Sequence, residues 1–424
     1  MVVRSATALL PKADHDDFTT QCRPVILSTS KVRYLRLTRS KSPRRGESMT
    51  QRAVFASLVD RVFGNGSATF DTTVAQSNNV IGALAHPTGF ATFKKNFEAR
   101  LQRLNTAVLI DASLRKEVLA AVNRIADAGW DGAYAELAAL DYFLAEPKTG
   151  PGKILLDRTV PATETLASEM GMQNANHDMS FPALGVSMDT KLLSDKTGEI
   201  LEGIFKDFRS AKGINNLLIV PSYNLDSDFA HYSANRGALL KELINGVDTI
   251  TQPNGLASTV IPGLSYRFAW KPGVYFGEGS YSPLEHAQRH HPLLFGHAKK
   301  FSRYEPTVIV FVIFPWSGEK VFPFEDSKRT FFKQLGQHFF NGYLGSSDSA
   351  SKYNRKFRSA LSASEVTRHL SGIIYLEDQA IMATNPDQLN VGASYIWNEN
   401  AINPLSGHLF ETTLQRRRAY NLSS

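Results

Sequence analysis

Residues 176–191 read Asn176-His177-Asp178-Met179-Ser180-Phe181-Pro182-Ala183-Leu184-Gly185-Val186-Ser187-Met188-Asp189-Thr190-Lys191. The stretch reads as two short strands, around 178–184 and 185–193, that fold back on each other if 182–185 forms a hairpin turn. Residues i and i+2 of a strand point to the same side, so Asp189 and Lys191 project together. Asp178, at the start or bend of the preceding strand, then meets Asp189. Two carboxylates beside an ammonium group suit a hard divalent cation. Mg²⁺ takes few carboxylates, keeps several waters and accepts phosphate oxygen as a ligand. Such an ion lowers the pKa of a bound water and polarises a phosphoryl group, while a lysine orients the water or stabilises developing charge.

Outward from this stretch, residues 131–146 (DGAYAELAALDYFLAE) form an Ala- and Leu-rich helix that stops at Pro147. A short strand follows around 154–159. Beyond the hairpin, 197–211 reads as an amphipathic helix with Ile200, Ile204, Phe205 and Phe208 on one face, closed by Lys212-Gly213. Residues 216–221 (NLLIVP) then read as a buried strand. The order α-β-β-β-α-β predicts an α/β fold, a mixed sheet flanked by helices.

With an Asp, a gap of ten residues and then Asp-x-Lys, the stretch resembles the PD-(D/E)XK nuclease superfamily, whose core has the same α-β-β-β-α-β order. The resemblance covers residues 131–221. It implies a restriction-endonuclease-like architecture, with Asp178 and Asp189 as metal ligands and Lys191 as the catalytic lysine. Many members carry a Glu on the first core helix that reaches the metal directly or through water. Glu136 occupies the matching position. His177 stands where the family motif has Pro, and the second acid is Asp rather than Glu, within the family's tolerance. The implied activity is Mg²⁺-dependent hydrolysis of nucleic-acid phosphodiesters, with Mn²⁺ as a substitute ion. DNA is favoured over RNA as partner, in restriction or defence, and a homodimer is among the expected states.

Context supports the motif. Asp189-Thr190-Lys191 sits between Val186 and Leu192-Leu193, the flanks of a core strand. Glu136 is surrounded by Ala and Leu, so it faces an interior or a cleft, where an unpaired carboxylate is costly. Asp141 competes for its role but lies about 140° away around the helix; Glu164 and Glu169 precede the motif. Asp195 and Lys196 read as a turn, and Gln173 and Asn174 as loop residues.

Upstream, residues 49–129 read as a helical subdomain. Val54, Leu58, Val62 and Phe63 recur at helical steps, as do Phe93, Phe97, Leu101 and Leu104. A further helix opened by Asp111 has Leu114, Val118, Leu119, Val122 and Ile125 on one face. Residues 64–92 read as a connection. The remaining nuclease-like domain, 130–424, has its core in 131–221 and a C-terminal extension, 226–424, that supplies extra strands. In that extension, helices are expected at 234–245, 284–300, 330–344 and 364–370, and a Gly/Pro-rich loop at 252–279. Residues 307–314 (TVIVFVIF) and 372–376 (GIIYL) are apolar on both faces, as central strands covered by helices would be.

Of 424 residues, 42% are hydrophobic and 10% aromatic, which excludes a disordered or collagen-like chain. The single cysteine, Cys22, forms no internal disulfide, and one thiol is too few for a zinc finger; a reducing compartment, the cytoplasm, is expected. The longest apolar run, 308–314, falls far short of the ~20 residues a membrane helix needs, so no membrane partner is expected. The net charge is +7, but residues 1–48 carry +6 of it. That segment reads as a disordered basic leader, with Met49 as an alternative start. The charge therefore gives no argument that the folded body binds nucleic acid.

Two further clusters are candidates for nucleic-acid contact. Arg289, Lys299 and Lys300 accompany the histidines His286, His290, His291 and His297, a group with no metalloprotease or zinc-ribbon pattern. Lys352-Tyr353-Asn354-Arg355-Lys356-Phe357-Arg358 alternates cations with aromatics, suiting phosphate neutralisation by Lys352, Arg355, Lys356 and Arg358 with base stacking by the rings. Neither a nucleotide-triphosphate loop nor a serine-nucleophile motif is present. Two alternatives stand beside the nuclease. One is a catalytically silent module of the same fold that binds DNA or assembles with a partner; the other is a different α/β enzyme with its site at 270–300.

Overall fold

The computed structural model describes residues 50–74, 78–144, 154–193, 196–214, 217–222, 229–247, 256–270, 283–314, 325–378, 391–405, 407, 409–416 and 418–423. The leader 1–48 lies outside them. Five helices come first: α1 (Gln51–Phe63), α2 (Asn79–Ala85), α3 (Ala91–Ile110), α4 (Arg115–Arg124) and α5 (Trp130–Leu144). Thr50 and Asn78 cap α1 and α2, their side chains accepting the Ala53 and Ile81 amides at 3.1 and 3.0 Å. Helix α2 lies inside the stretch expected to be a connection. The apolar stripes Phe93-Phe97-Leu101-Leu104 and Val118-Val122 are buried as their spacing predicts. Ala133 to Leu144 of α5 are buried on almost every side, apart from Glu136, which explains why that helix is apolar nearly all round.

Downstream, in chain order, come β1 (Leu155–Pro161), β2 (Asn174–Phe181), β3 (Val186–Leu192), α6 (Lys196–Lys212), β4 (Leu217–Ser222), α7 (Phe229–Ala234), α8 (Arg236–Gly246), β5 (Leu256–Ala257) and β6 (Ser265–Trp270). Then follow α9 (Pro283–His290), a 3-10 helix (His291–Lys300), β7 (Thr307–Ile313), α10 (Glu325–Asn341), α11 (Ala363–Arg368), β8 (Gly372–Asp378), β9 (Val391–Trp397), α12 (Leu409–Arg416) and β10 (Tyr420–Asn421).

A seven-stranded mixed sheet, ordered β1-β2-β3-β7-β8-β9-β10, runs through the fold. Strands β1, β2 and β3 form an antiparallel meander, β7 lies parallel to both β3 and β8, and β9 is antiparallel to β8. Central β7 shows why its sequence lacks polar alternation. Val308, Val310 and Val312 enter a core built with α1 to α5 and α12. Ile309, Phe311 and Ile313 enter a second core with α9, the 3-10 helix, α10 and α11. The helices expected as a helical subdomain share one core with the sheet, and the segment expected as an extension supplying extra strands contributes four of its seven.

One expectation fails. Strand β4, read as the closing strand of the 131–221 core, belongs to a separate three-stranded sheet ordered β4-β6-β5. With α6, α7 and α8 it encloses a third core around Phe205, Phe208, Tyr232 and Tyr266. The place beside β3 goes to β7. Pro221 has no amide to donate and is tolerated because β4 sits at the edge of its sheet. Strand β7, apolar from Val308 to Ile313 and buried along its whole length, suits the central position. Residues 196–270 are therefore inserted between two neighbouring parallel strands, a connection that must cross over in any case. Strand β6 itself lies in the stretch expected as a loop. Among the described residues no helix is long and apolar enough to cross a membrane.

Candidate functional site

The expected hairpin forms. Leu184 N donates to Phe181 O at 2.9 Å, and Gly185 N to Pro182 O at 3.2 Å. Gly185 turns with φ of 58°, the left-handed region that glycine enters without cost. From this turn β2 and β3 pair through Phe181↔Val186, Ser180↔Ser187 and Met179↔Met188, and no further. The next opposed residues are Asp178 and Asp189. Here the sheet forks: β3 continues along β7, with Asp189↔Ile309 and Lys191↔Phe311, while β2 stays with β1. In the fork a side chain replaces the ladder, since Thr190 N donates to Asp178 Oδ2 at 2.7 Å. The β1–β2 ladder also breaks beside it, stepping from Leu156↔Met179 to Arg158↔His177. Between them Asp157 adopts φ of 47°, an uncommon conformation for a residue with a Cβ.

Asp189 is buried, 1% exposed, and Lys191 Nζ reaches its Oδ1 at 2.8 Å and its Oδ2 at 2.7 Å. This is the i, i+2 projection expected of a strand. A second lysine joins them. Lys300, the last residue of the 3-10 helix, donates from Nζ to Asp178 Oδ1 at 2.8 Å and also to Asp189 Oδ1. One ammonium thus bridges both carboxylates. Lys300 was expected to touch a nucleic-acid backbone; it lies inside the acidic pair instead, because the 3-10 helix packs on the face of the sheet where Asp178 and Asp189 emerge. Its spacing, 111 residues beyond Asp189, carries no sequence signal.

Burial, and then the neighbouring Asp189 carboxylate, push Asp178 above the usual carboxylate range against the pull of Lys300 and Lys191. For Lys300 burial acts downward, but Asp189 and Asp178 outweigh it and raise its pKa. His297 is close enough to feel the lysines: burial first, then Lys191 and Lys300, lower it to about 3, so its ring is neutral.

Glu136 comes from α5 and shares with Asp178, Asp157 and Thr190 the lining of a cleft of about 170 Å³, walled on the other side by Glu117 and Arg124 of α4. Burial, together with Asp178, raises its pKa, opposed by Arg124 and Lys191. Its carboxylate is ion-paired to Arg124. Glu136 therefore borders Asp178 across this cleft, whose lining does not include Asp189, Lys191 or Lys300. Its competitor Asp141 is fully buried elsewhere, holding Arg100 Nε at 3.1 Å and Arg103 Nη2 at 2.8 Å. Glu169 pairs with Arg303.

The other candidates lie apart from this site or within the core. In the 352–358 cluster the rings are not available for stacking on bases. Tyr353 stacks on Phe295 at 4.9 Å and donates from its hydroxyl to Asp348 Oδ2 at 3.0 Å; Phe357 is buried in the second core. Lys352 pairs with Asp348 at 3.0 Å, while Arg355, Lys356 and Arg358 are exposed. Lys299 is half-buried on the 3-10 helix. The side chains of Arg289 and His286, and residues 271–282 of the alternative site, lie outside the described residues. His290 packs edge-on to Phe331 and His291 meets the Tyr343 hydroxyl at 2.9 Å, which are packing roles.

For a divalent cation the donor set is chemically suitable: two carboxylates whose nearer oxygens fall within the reach of a single ammonium, all hard oxygen ligands. Mg²⁺ is commonly held by one or two carboxylates plus water and phosphate. Among the described residues no group of three or more His, Cys, Asp or Glu side chains converges to hold a metal, consistent with Glu136 turning to Arg124.

No protein-family model, curated protein or solved structure matches the chain.

Proposed function

We propose that this protein is a Mg²⁺-dependent endonuclease of restriction-endonuclease-like architecture, a PD-(D/E)XK nuclease that hydrolyses phosphodiester bonds in DNA. The observation that carries the reading is the meeting of Asp178, Asp189 and Lys191 where β2 and β3 part, beside a cleft lined by Glu136. Support also comes from the order of elements: α5, then the β1-β2-β3 meander, then β7 parallel to β3. In this reading β7 takes the role of the last core strand, and residues 196–270 are an insertion before it.

When bound, the divalent cation supplies a water of lowered pKa and polarises the phosphoryl oxygen. Asp178 and Asp189 would hold it. The Lys191 ammonium, anchored on Asp189, donates toward the attacking water or the charge developing on the phosphoryl oxygens, in a site where fixed charges are little screened. Glu136 narrows the cleft beside Asp178, held in place and charge-compensated by Arg124. The exposed cations Arg355, Lys356 and Arg358 are candidates for phosphate contact through charge alone.

Asp189→Ala and Lys191→Ala are each expected to slow Mg²⁺-dependent nicking of supercoiled plasmid by about 100-fold or more. Mutants that cut as fast as wild type would rule the assignment out. A second reading, the same fold binding DNA or a partner without cutting, is favoured by the Lys300 bridge, which gives the two acids a counter-charge from within the chain. Retained DNA binding with no Mn²⁺ affinity in calorimetry would select it.

A further inference from the structure

Lys300 is built into the site by more than its side chain. Its carbonyl oxygen accepts from His177 Nε2 at 2.9 Å, and His177 is the residue immediately before Asp178. The acceptor is a carbonyl, so Nε2 must carry the proton in this contact. The next two residues are fixed as well: Leu166 N donates to Phe301 O at 2.9 Å, and Ser302 N to Thr307 Oγ1 at 2.8 Å. Three consecutive residues are thus tied to β2, to the chain between β1 and β2, and to β7. The backbone that launches the Lys300 side chain is held against the strands that carry the acids, so its ammonium is delivered to one place. That place lies between Asp178 Oδ1 and Asp189 Oδ1, where a cation shared by both carboxylates would sit.

We infer that Lys300 is an internal competitor for the divalent cation: its ammonium occupies the shared position in the metal-free protein, and ion binding requires its displacement. This rests on the proposed metal site. With Asp178, Asp189, Lys191 and Lys300 charged, the cluster sums to zero, so an incoming dication meets no net attraction. Once the lysine charge is removed, the remaining three groups sum to −1 and the site attracts a cation. The aliphatic stem has four rotatable bonds and its side chain is 12% exposed, so the ammonium has a way out when an ion takes its place. The device sets a threshold: the acids are neutralised at low metal, and the site loads only when free ion is abundant enough to displace the lysine.

The test is calorimetric titration of Mn²⁺ alone into the full-length protein, together with melting temperatures with and without the ion. Lys300→Met is expected to bind Mn²⁺ roughly tenfold more tightly than wild type. It should melt lower than wild type in chelator and recover on adding Mn²⁺, since the ion replaces the lost counter-charge. Lys300→Arg, which keeps the charge, should bind as weakly as wild type. His177→Ala, which leaves the lysine but unties its backbone, should bind several-fold more tightly than wild type and provides an independent arm. Equal Mn²⁺ affinity in wild type, Lys300→Met and His177→Ala would overturn the inference and leave the proposed nuclease standing. Absence of Mn²⁺ binding in all of them would overturn both. A Lys300→Met protein that stays unfolded in saturating Mn²⁺ would overturn the inference too, because the ion should then substitute for the lysine.

Discussion

Arg100 on α3 is 1% exposed, yet each of its three guanidinium nitrogens is paired: two parallel bonds of 2.9 and 3.0 Å run to Asp378 of β8 and one of 3.1 Å to Asp141 of α5. Its plane also lies 5.5 Å from the Tyr134 ring. Bidentate arginine pairs of this kind are strong and orientation-specific. Removing one partner strands a buried charge, so Asp378→Ala is expected to lower unfolding free energy by about 3–5 kcal/mol, read from urea denaturation. A loss below about 1 kcal/mol would mean the pair is better solvated than its burial implies. The same network explains Asp141, which the sequence left as a rival to Glu136. Both are acids on one Ala/Leu-rich helix. The difference lies in which arginines face them, and that is set by α3 and α4, not by α5.

At the scale of elements, the sheet's fork and its close approaches carry the consequences. Asp178 and Asp189 come together because pairing between β2 and β3 ends one residue short of them, leaving their side chains to meet each other and the Thr190 amide. Farther along the sheet, Gly372 at the head of β8 lies under Trp397 of β9: a Cβ there would fall 2.1 Å from the indole ring. Trp397 is 5% exposed and packed on Tyr395 at 4.6 Å, so it has little room to move. Gly372→Ala is therefore expected to cost about 1–3 kcal/mol through overpacking, measurable as a drop in urea midpoint with an unchanged slope. A stability equal to wild type would show that the ring can shift. Periodicity made 307–314 and 372–376 legible as covered central strands. It gave no hint of the order in which strands lie side by side, so β4 was a plausible neighbour for β3 until its place at the edge of another sheet was seen.

For the molecule as a whole, the histidines between α9, the 3-10 helix and α10 link acidity to stability. His291 lies between Tyr343 and the His338 ring, whose centroid is 5.6 Å away; burial first, then His338, lower it to about 4. His338 and His369 are lowered by burial in the same direction. A histidine with a depressed folded pKa takes up its proton more readily when unfolded. Its contribution is therefore fully present above the ordinary value of about 6.5 and is lost as pH falls from there toward about 4. The urea midpoint should be flat between about pH 7 and 8 and fall below about 6.5. Titration of His291 near 6.5 in an NMR experiment would contradict this. The insertion 196–270 belongs to this scale too. Its core of Leu201, Phe205, Phe208, Tyr232 and Tyr266 closes among its own helices and strands, which lets 75 residues enter a sheet crossover without disturbing the parallel pair they separate.

The order of residues alone determined the local facts: a helix at α5, three short strands after it, a hairpin turned by Gly185, and Asp189 and Lys191 on one side of their strand. These follow from periods of 3.6 and 2 and from the backbone freedom of glycine, which act over a few neighbours. Only the tertiary structure decided that β7 lies beside β3, that Glu136 is bound to Arg124, that Tyr353 and Phe357 are core residues, and that Lys300 bridges the two acids. Each of these depends on which distant surfaces are buried against one another, a free-energy balance over the whole chain that no local pattern records.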